Sequence, residues 1–84
     1  MEENAKVTVR LTNSLELART VVLEPWTGEY ALQPGKSFDI VAEGNLRYPL
    51  HVELCENRVT VYCFDSAGAQ MSIFENGREL TSSE

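Results

Sequence analysis

Leu50-His51-Val52-Glu53-Leu54-Cys55-Glu56-Asn57-Arg58-Val59-Thr60-Val61-Tyr62-Cys63-Phe64 is the part of the chain from which the fold can be read. Apolar and polar residues alternate with a period of two, the mark of a half-buried strand. Leu50, Val52 and Leu54 share one face. His51, Glu53 and Cys55 share the other. A two-residue turn at Glu56-Asn57 pairs Cys55 with Arg58, Leu54 with Val59, Val52 with Val61 and Leu50 with Cys63. The apolar faces then coincide, and a slip of one residue would put every side chain on the wrong face.

The reading extends toward the C-terminus. Asp65-Ser66-Ala67-Gly68-Ala69 is a connection with Gly68 at a left-handed position. Pairing Phe64 with Gln70 sets Cys63 opposite Met71 and Val61 opposite Ile73. Asn76-Gly77 is a strong hairpin signal, pairing Glu75 with Arg78 and Ile73 with Leu80. The expected result is a C-terminal meander with a short returning strand. Thr81-Ser82-Ser83-Glu84 reads as a frayed tail.

Toward the N-terminus, Val7, Val9 and Leu11 alternate with Thr8, Arg10 and Thr12, and Asn13-Ser14 is a turn. Arg19 is in phase with Leu15, Leu17, Val21 and Leu23, so one continuous strand would bury a cation. A connection near 13–18 and a strand from about Arg19 to Glu24 is preferred to a helical turn at 15–19. Pro25 ends that strand because it has no ladder donor. Tyr30 and Leu32 form a short third strand. Pro34-Gly35 is a type II turn, and Phe38, Ile40 and Ala42 mark a fourth strand. No stretch has a helical period. The expectation is a single all-β domain over 1–84: a small antiparallel β-sandwich or partly open barrel of about seven short strands.

The chain has 84 residues, with 7 Lys and Arg against 13 Asp and Glu, a formal net charge of −6. That balance argues against nucleic acid, whose binding rests on clustered cations. No apolar run approaches the length of a membrane span, and the acidic start is unlike a secretory signal. The expected compartment is the cytoplasm, and the initiator Met and polar ends suggest a complete small protein, with an excised domain as the alternative. Cys55 and Cys63 fall on opposite faces of one hairpin, so they should not bridge.

A copper site of two His, one Cys and an axial Met cannot be assembled with His51 as the sole histidine. Zinc would need close Cys or His pairs. Cys55 lies four residues from His51 along one strand, too far for a direct hydrogen bond at about 3.3 Å per residue. No cofactor, no metal and no catalytic residue is expected, and the protein is read as a non-enzyme.

Two groups of residues are candidate sites. On the supposedly wet face of the meander the pairing gathers His51, Tyr62, Phe64 and Phe74, with His51 opposite Tyr62, Tyr62 opposite Ser72 and Thr60 opposite Phe74. Such an apolar patch often marks an interface. The alternatives are cross-strand packing alone, or a cover made by residues 44–49 with Leu46 and Tyr48. The second group is Glu24, Trp26 and Tyr30, which could bind a small apolar or carbohydrate-like ligand. The competing reading has Trp26 plugging one end of the sandwich with Tyr30 in the core.

Residues 19–44, with Glu24-Pro25-Trp26, Tyr30, Leu32 and Pro34-Gly35, resemble small uncharacterised bacterial all-β proteins built from a strand, a Glu-Pro-Trp loop, Tyr-x-Leu and a Pro-Gly turn. The resemblance implies a cupredoxin-like or immunoglobulin-like sandwich and brings no activity or site residue with it. The expected function is a protein-interaction or self-association module, possible as a homodimer, that uses the aromatic sheet face. A small-ligand module at the Trp26–Tyr30 loop is the alternative.

Overall fold

The computed structural model describes residues 5–65 and 67–81. They form eight strands: β1 (Ala5–Thr12), β2 (Arg19–Glu24), β3 (Gly28–Leu32), β4 (Ser37–Gly44), β5 (His51–Leu54), β6 (Arg58–Tyr62), β7 (Ala69–Glu75) and β8 (Arg78–Glu79). Two four-stranded sheets result, ordered β1-β4-β7-β8 and β3-β2-β6-β5. Val21, Leu23, Leu32 and Val61 from one sheet and Phe38, Ile40 and Ile73 from the other form a single buried cluster. The expected all-β sandwich of short strands is therefore the fold. Of the expected tail, residues 82–84 lie outside the described residues.

Local turn chemistry explains the short connections. The Cys55 N–H donates to the Arg58 carbonyl (2.9 Å), closing the two-residue turn. Leu54 pairs with Val59, Val52 with Val61 and His51 with Tyr62, the register read from the alternation. Asn76 and Gly77 both have positive φ, 53° and 79°, as a type I′ turn requires. Glu75 pairs with Arg78 there. At Gln33-Pro34-Gly35-Lys36 the Lys36 N–H reaches the Gln33 carbonyl at 3.1 Å, and Gly35 supplies the positive φ of a type II turn.

The meander is not formed. After β6 the chain leaves its sheet, and β7 pairs instead with β4, setting Ile40 opposite Ile73 and Ala42 opposite Met71. The expected pairs Phe64–Gln70, Cys63–Met71 and Val61–Ile73 are thus replaced. The physical reason is that period-two alternation fixes which face is apolar and is silent about the neighbour. Val61 and Ile73 do enter one core, but from opposite sheets. The vacated side of β6 is taken by β2, which runs parallel to it, with Val21 beside Val59 and Leu23 beside Val61. One parallel pair in an otherwise antiparallel sandwich follows from this switch of sheets.

Buried polar groups steer the chain at the two ends. Asn13, only 4% exposed, donates from Nδ2 to the carbonyls of Leu17 (2.9 Å) and Leu32 (3.0 Å), while its Oδ1 accepts the Leu15 N–H (2.8 Å). This side chain shapes the 13–18 connection and fastens it to the end of β3. Buried Asp65 acts likewise at the sheet switch. Its Oδ2 accepts the N–H groups of Arg47 and Tyr48, both at 2.9 Å, and its Oδ1 accepts Arg47 Nε at 3.2 Å. Burial pushes the Asp65 carboxyl up, but these donors and the guanidinium charge outweigh it, so the group titrates below the usual aspartate range.

Candidate functional site

Alternation along β5 and β6 sends Val52, Leu54, Val59 and Val61 to one face and His51, Glu53, Thr60 and Tyr62 to the other, where Thr60 is nonetheless buried between its neighbours. Phe64 follows Tyr62 on the outward phase. The three rings meet there. His51 and Tyr62 lie edge to face with centroids 5.6 Å apart, and His51 and Phe64 are 6.0 Å apart. Tyr62 and Phe64 stack at 5.9 Å with planes inclined by 4°. The Tyr62 hydroxyl donates to Glu53 Oε1 at 3.1 Å. That hydrogen bond, then burial, then the nearby charges of Glu53 and Glu24 raise the Tyr62 phenol above its ordinary value, against a smaller opposing effect of Arg58. Tyr62 is therefore a fixed neutral donor.

Three of the four expected contact residues are brought together, and Phe74 is not. It lies on β7 in the other sheet, half-buried, with Asp39 and Glu79 as its register partners. Thr60 has Glu53 and Val22 beside it in place of Phe74, and Tyr62 has His51 and Glu24 in place of Ser72. The error has the same origin as the meander. The 44–49 connection does not close over the rings: Phe64 is 61% exposed, and Tyr48 is itself exposed with the Arg47 guanidinium 5.7 Å above its ring.

The second group of candidate residues divides. Glu24 ends β2 beside Tyr62, and its carbonyl accepts the Cys63 N–H at 3.0 Å. Glu24 and Pro25 line a shallow hollow with Tyr62, Cys63 and Phe64, so this part of the loop joins the aromatic site. Trp26 stays 41% exposed and does not plug the sandwich. Tyr30 turns inward against the core, its phenol passing over Gly28, where a Cβ would lie 3.0 Å from the hydroxyl oxygen. The Glu24–Pro25 peptide is cis.

The edge next to the rings was not singled out by sequence reading. β5 pairs with β6 on one side only and ends its sheet. All four of its residues are exposed, including Val52 (39%) and Leu54 (78%) on the inward phase. Glu53 carries no distinguishing signal in the sequence, because an acid on an outward phase looks like any solvated one.

Arg19 starts β2 on the inward phase, as the alternation implies. It is half-buried at the mouth of an apolar cleft of about 350 Å³ walled by Leu11, Leu15, Leu32, Leu54 and Val59. This cleft is at the opposite end of β2 from Glu24. Cys55 is exposed at its rim and Cys63 is buried; both are free thiols. Among the described residues, no group of three or more His, Cys, Asp or Glu could hold a metal ion, and no helix is long and apolar enough to cross a membrane.

Fold and site together define a small β-sandwich with an exposed aromatic cluster beside an open sheet edge. Comparison with protein-family models, with curated proteins and with solved structures finds no match to this chain.

Proposed function

We propose that this protein is a non-enzymatic interaction module that associates with a second copy of itself through the end of the sheet carrying His51, Tyr62 and Phe64. The observation that carries the reading is the coincidence of that ring cluster with the unpaired β5 edge. An exposed edge strand with apolar side chains is a template for another strand, and exposed aromatic residues are typical of contact surfaces. A domain this small also leaves much apolar surface uncovered, which association removes from water. Two free cysteines fit a reducing compartment, which supports the cytoplasm as its location.

Sedimentation across micromolar concentrations tests the reading. The expected result is concentration-dependent association that weakens at least about ten-fold when Tyr62→Ser is combined with Phe64→Ser, and that is unaffected by Phe74→Ser. A monomer at every concentration overturns it. So does association indifferent both to the double variant and to Val52→Lys on the edge.

A further inference from the structure

We propose that the second copy adds antiparallel to β5 about a two-fold axis at Val52, fusing two four-stranded sheets into one of eight strands. This inference rests on the self-association reading and specifies its geometry. Hydrogen bonds in an antiparallel ladder alternate in direction along each strand. Because the Cys55 N–H is bonded to Arg58, the same ladder turns Glu53 and His51 toward β6. The N–H and C=O groups of Val52 and Leu54 therefore point to the open edge.

Residues directly opposite one another must share a face, which leaves few symmetric registers. An axis at Glu53 sets the two Glu53 carboxylates opposite each other in a close, non-hydrogen-bonded pair, a repulsive arrangement. An axis at His51 sets the two imidazoles opposite each other and leaves Glu53 without a complementary group across the edge. The axis at Val52 avoids both. It sets His51 opposite Glu53 of the partner subunit, and by symmetry this contact occurs twice. On the inward face Val52 meets its own counterpart, and Leu50 meets Leu54 of the partner subunit.

The side-chain pairing and the hydrogen bonds agree with this register. Val52 forms a reciprocal hydrogen-bonded pair with its copy, using the groups that point outward. The 78% exposed Leu54 gains an apolar cover, and Leu50, already packed against the core, extends that cover. Glu53 is held by Tyr62 at 3.1 Å, so its carboxylate is positioned on the outer face before a partner arrives. A carboxylate already oriented loses less freedom on binding.

Disulfide trapping in the full chain tests the register. Cα atoms of a hydrogen-bonded antiparallel pair lie about 5.5 Å apart, inside the disulfide range. Leu54 and its own copy would be separated by four residues along the ladder, about 13 Å. With Cys55→Ser as background, mild oxidation should convert V52C to a covalent dimer at least ten times faster than L54C. Faster or equal linking of L54C overturns the register. If the parent chain sediments as a dimer and V52C does not link, the edge is wrong while self-association stands. If every variant is a monomer, both fail. Charge reversal gives a second measurement that needs no cysteine: H51E and E53K should each weaken association about ten-fold, and the pair together should restore it. Failure of the double variant to recover overturns the His51–Glu53 contact.

Discussion

Asn13→Ala should destabilise the protein by about 2–4 kcal/mol. The figure follows from three lost side-chain hydrogen bonds, taken at about 1 kcal/mol net each and rising to about 3 kcal/mol where a polar group is left buried without a partner. The backbone bonds of Asn13, from its N–H to Lys36 and from Gly35 to its carbonyl, survive the change. The Leu32 carbonyl loses a buried donor, which is the costly part. The Leu17 carbonyl and the Leu15 N–H are only partly buried, so water can replace Asn13 there. A chain of 84 residues has about 4–13 kcal/mol in total at roughly 0.05–0.15 kcal/mol per residue. The variant should therefore fold with a clearly lowered urea midpoint and an unchanged m-value, read by circular dichroism. Exposed Ser14→Ala should shift stability by less than about 0.5 kcal/mol. Asn13→Asp keeps an acceptor for Leu15 but turns a carboxylate oxygen toward two carbonyls. It should be worse than Ala at neutral pH and recover in part when protonated. A loss below about 1 kcal/mol for Asn13→Ala would refute the view that this side chain anchors the 13–18 connection.

Gly44→Ala should prevent normal folding or lower the thermal midpoint severely, since its φ is 139° and a Cβ would collide with the Gly68 carbonyl oxygen; Gly77→Ala, at φ 79° in open space, should cost only about 1–2 kcal/mol. Asp39, held low chiefly by the hydrogen bond from Arg10, and Asp65 both lend stability above the ordinary aspartate range that is lost as pH falls through their depressed folded values. An acid titration should accordingly show stability falling below about pH 4, and Asp65→Asn should be less stable at neutral pH but flatter across that acid range. Arg19→Leu should raise stability by about 0.5–1 kcal/mol in urea unfolding by filling the cleft mouth with apolar surface, and a loss of more than about 1 kcal/mol would contradict the placement of Arg19 there.

Local features were legible in the sequence because local chemistry determines them. The turns at 33–36, 55–58 and 75–78 each announce themselves by residues that suit their backbone angles or by matching apolar faces, and the registers of the two hairpins at 55–58 and 75–78 are as read. The core was legible for a related reason: Phe38, Ile40, Val61 and Ile73 fall on apolar phases and are buried. Strand neighbours were not legible. Val61 is inward whether it stands beside Ile73 or across from it, so alternation cannot separate a meander from a switch between sheets. The site inherited that ambiguity. His51, Tyr62 and Phe64 are joined by one hairpin and its continuation, and they cluster as expected. Phe74 was placed through the long-range step, and that step failed. Asn13 and Asp65 carry no motif; each matters because of carbonyls and N–H groups brought to it by distant parts of the chain.

The parallel contact between β2 and β6 has a kinetic consequence. Thr20 can meet Arg58 only after the chain between them has returned on itself, and β1 meets β4 across a similar stretch. The hairpins at 55–58 and 75–78 close over short loops and can form early, on a timescale of about microseconds. The centre of each sheet instead waits on loop closure, whose entropy is lost before any ladder bond compensates it. Topologies dominated by such distant pairings fold in about milliseconds to seconds. During that interval the β5–β6 hairpin has open edges on both sides, and β2 is the strand that must arrive before a neighbouring chain does.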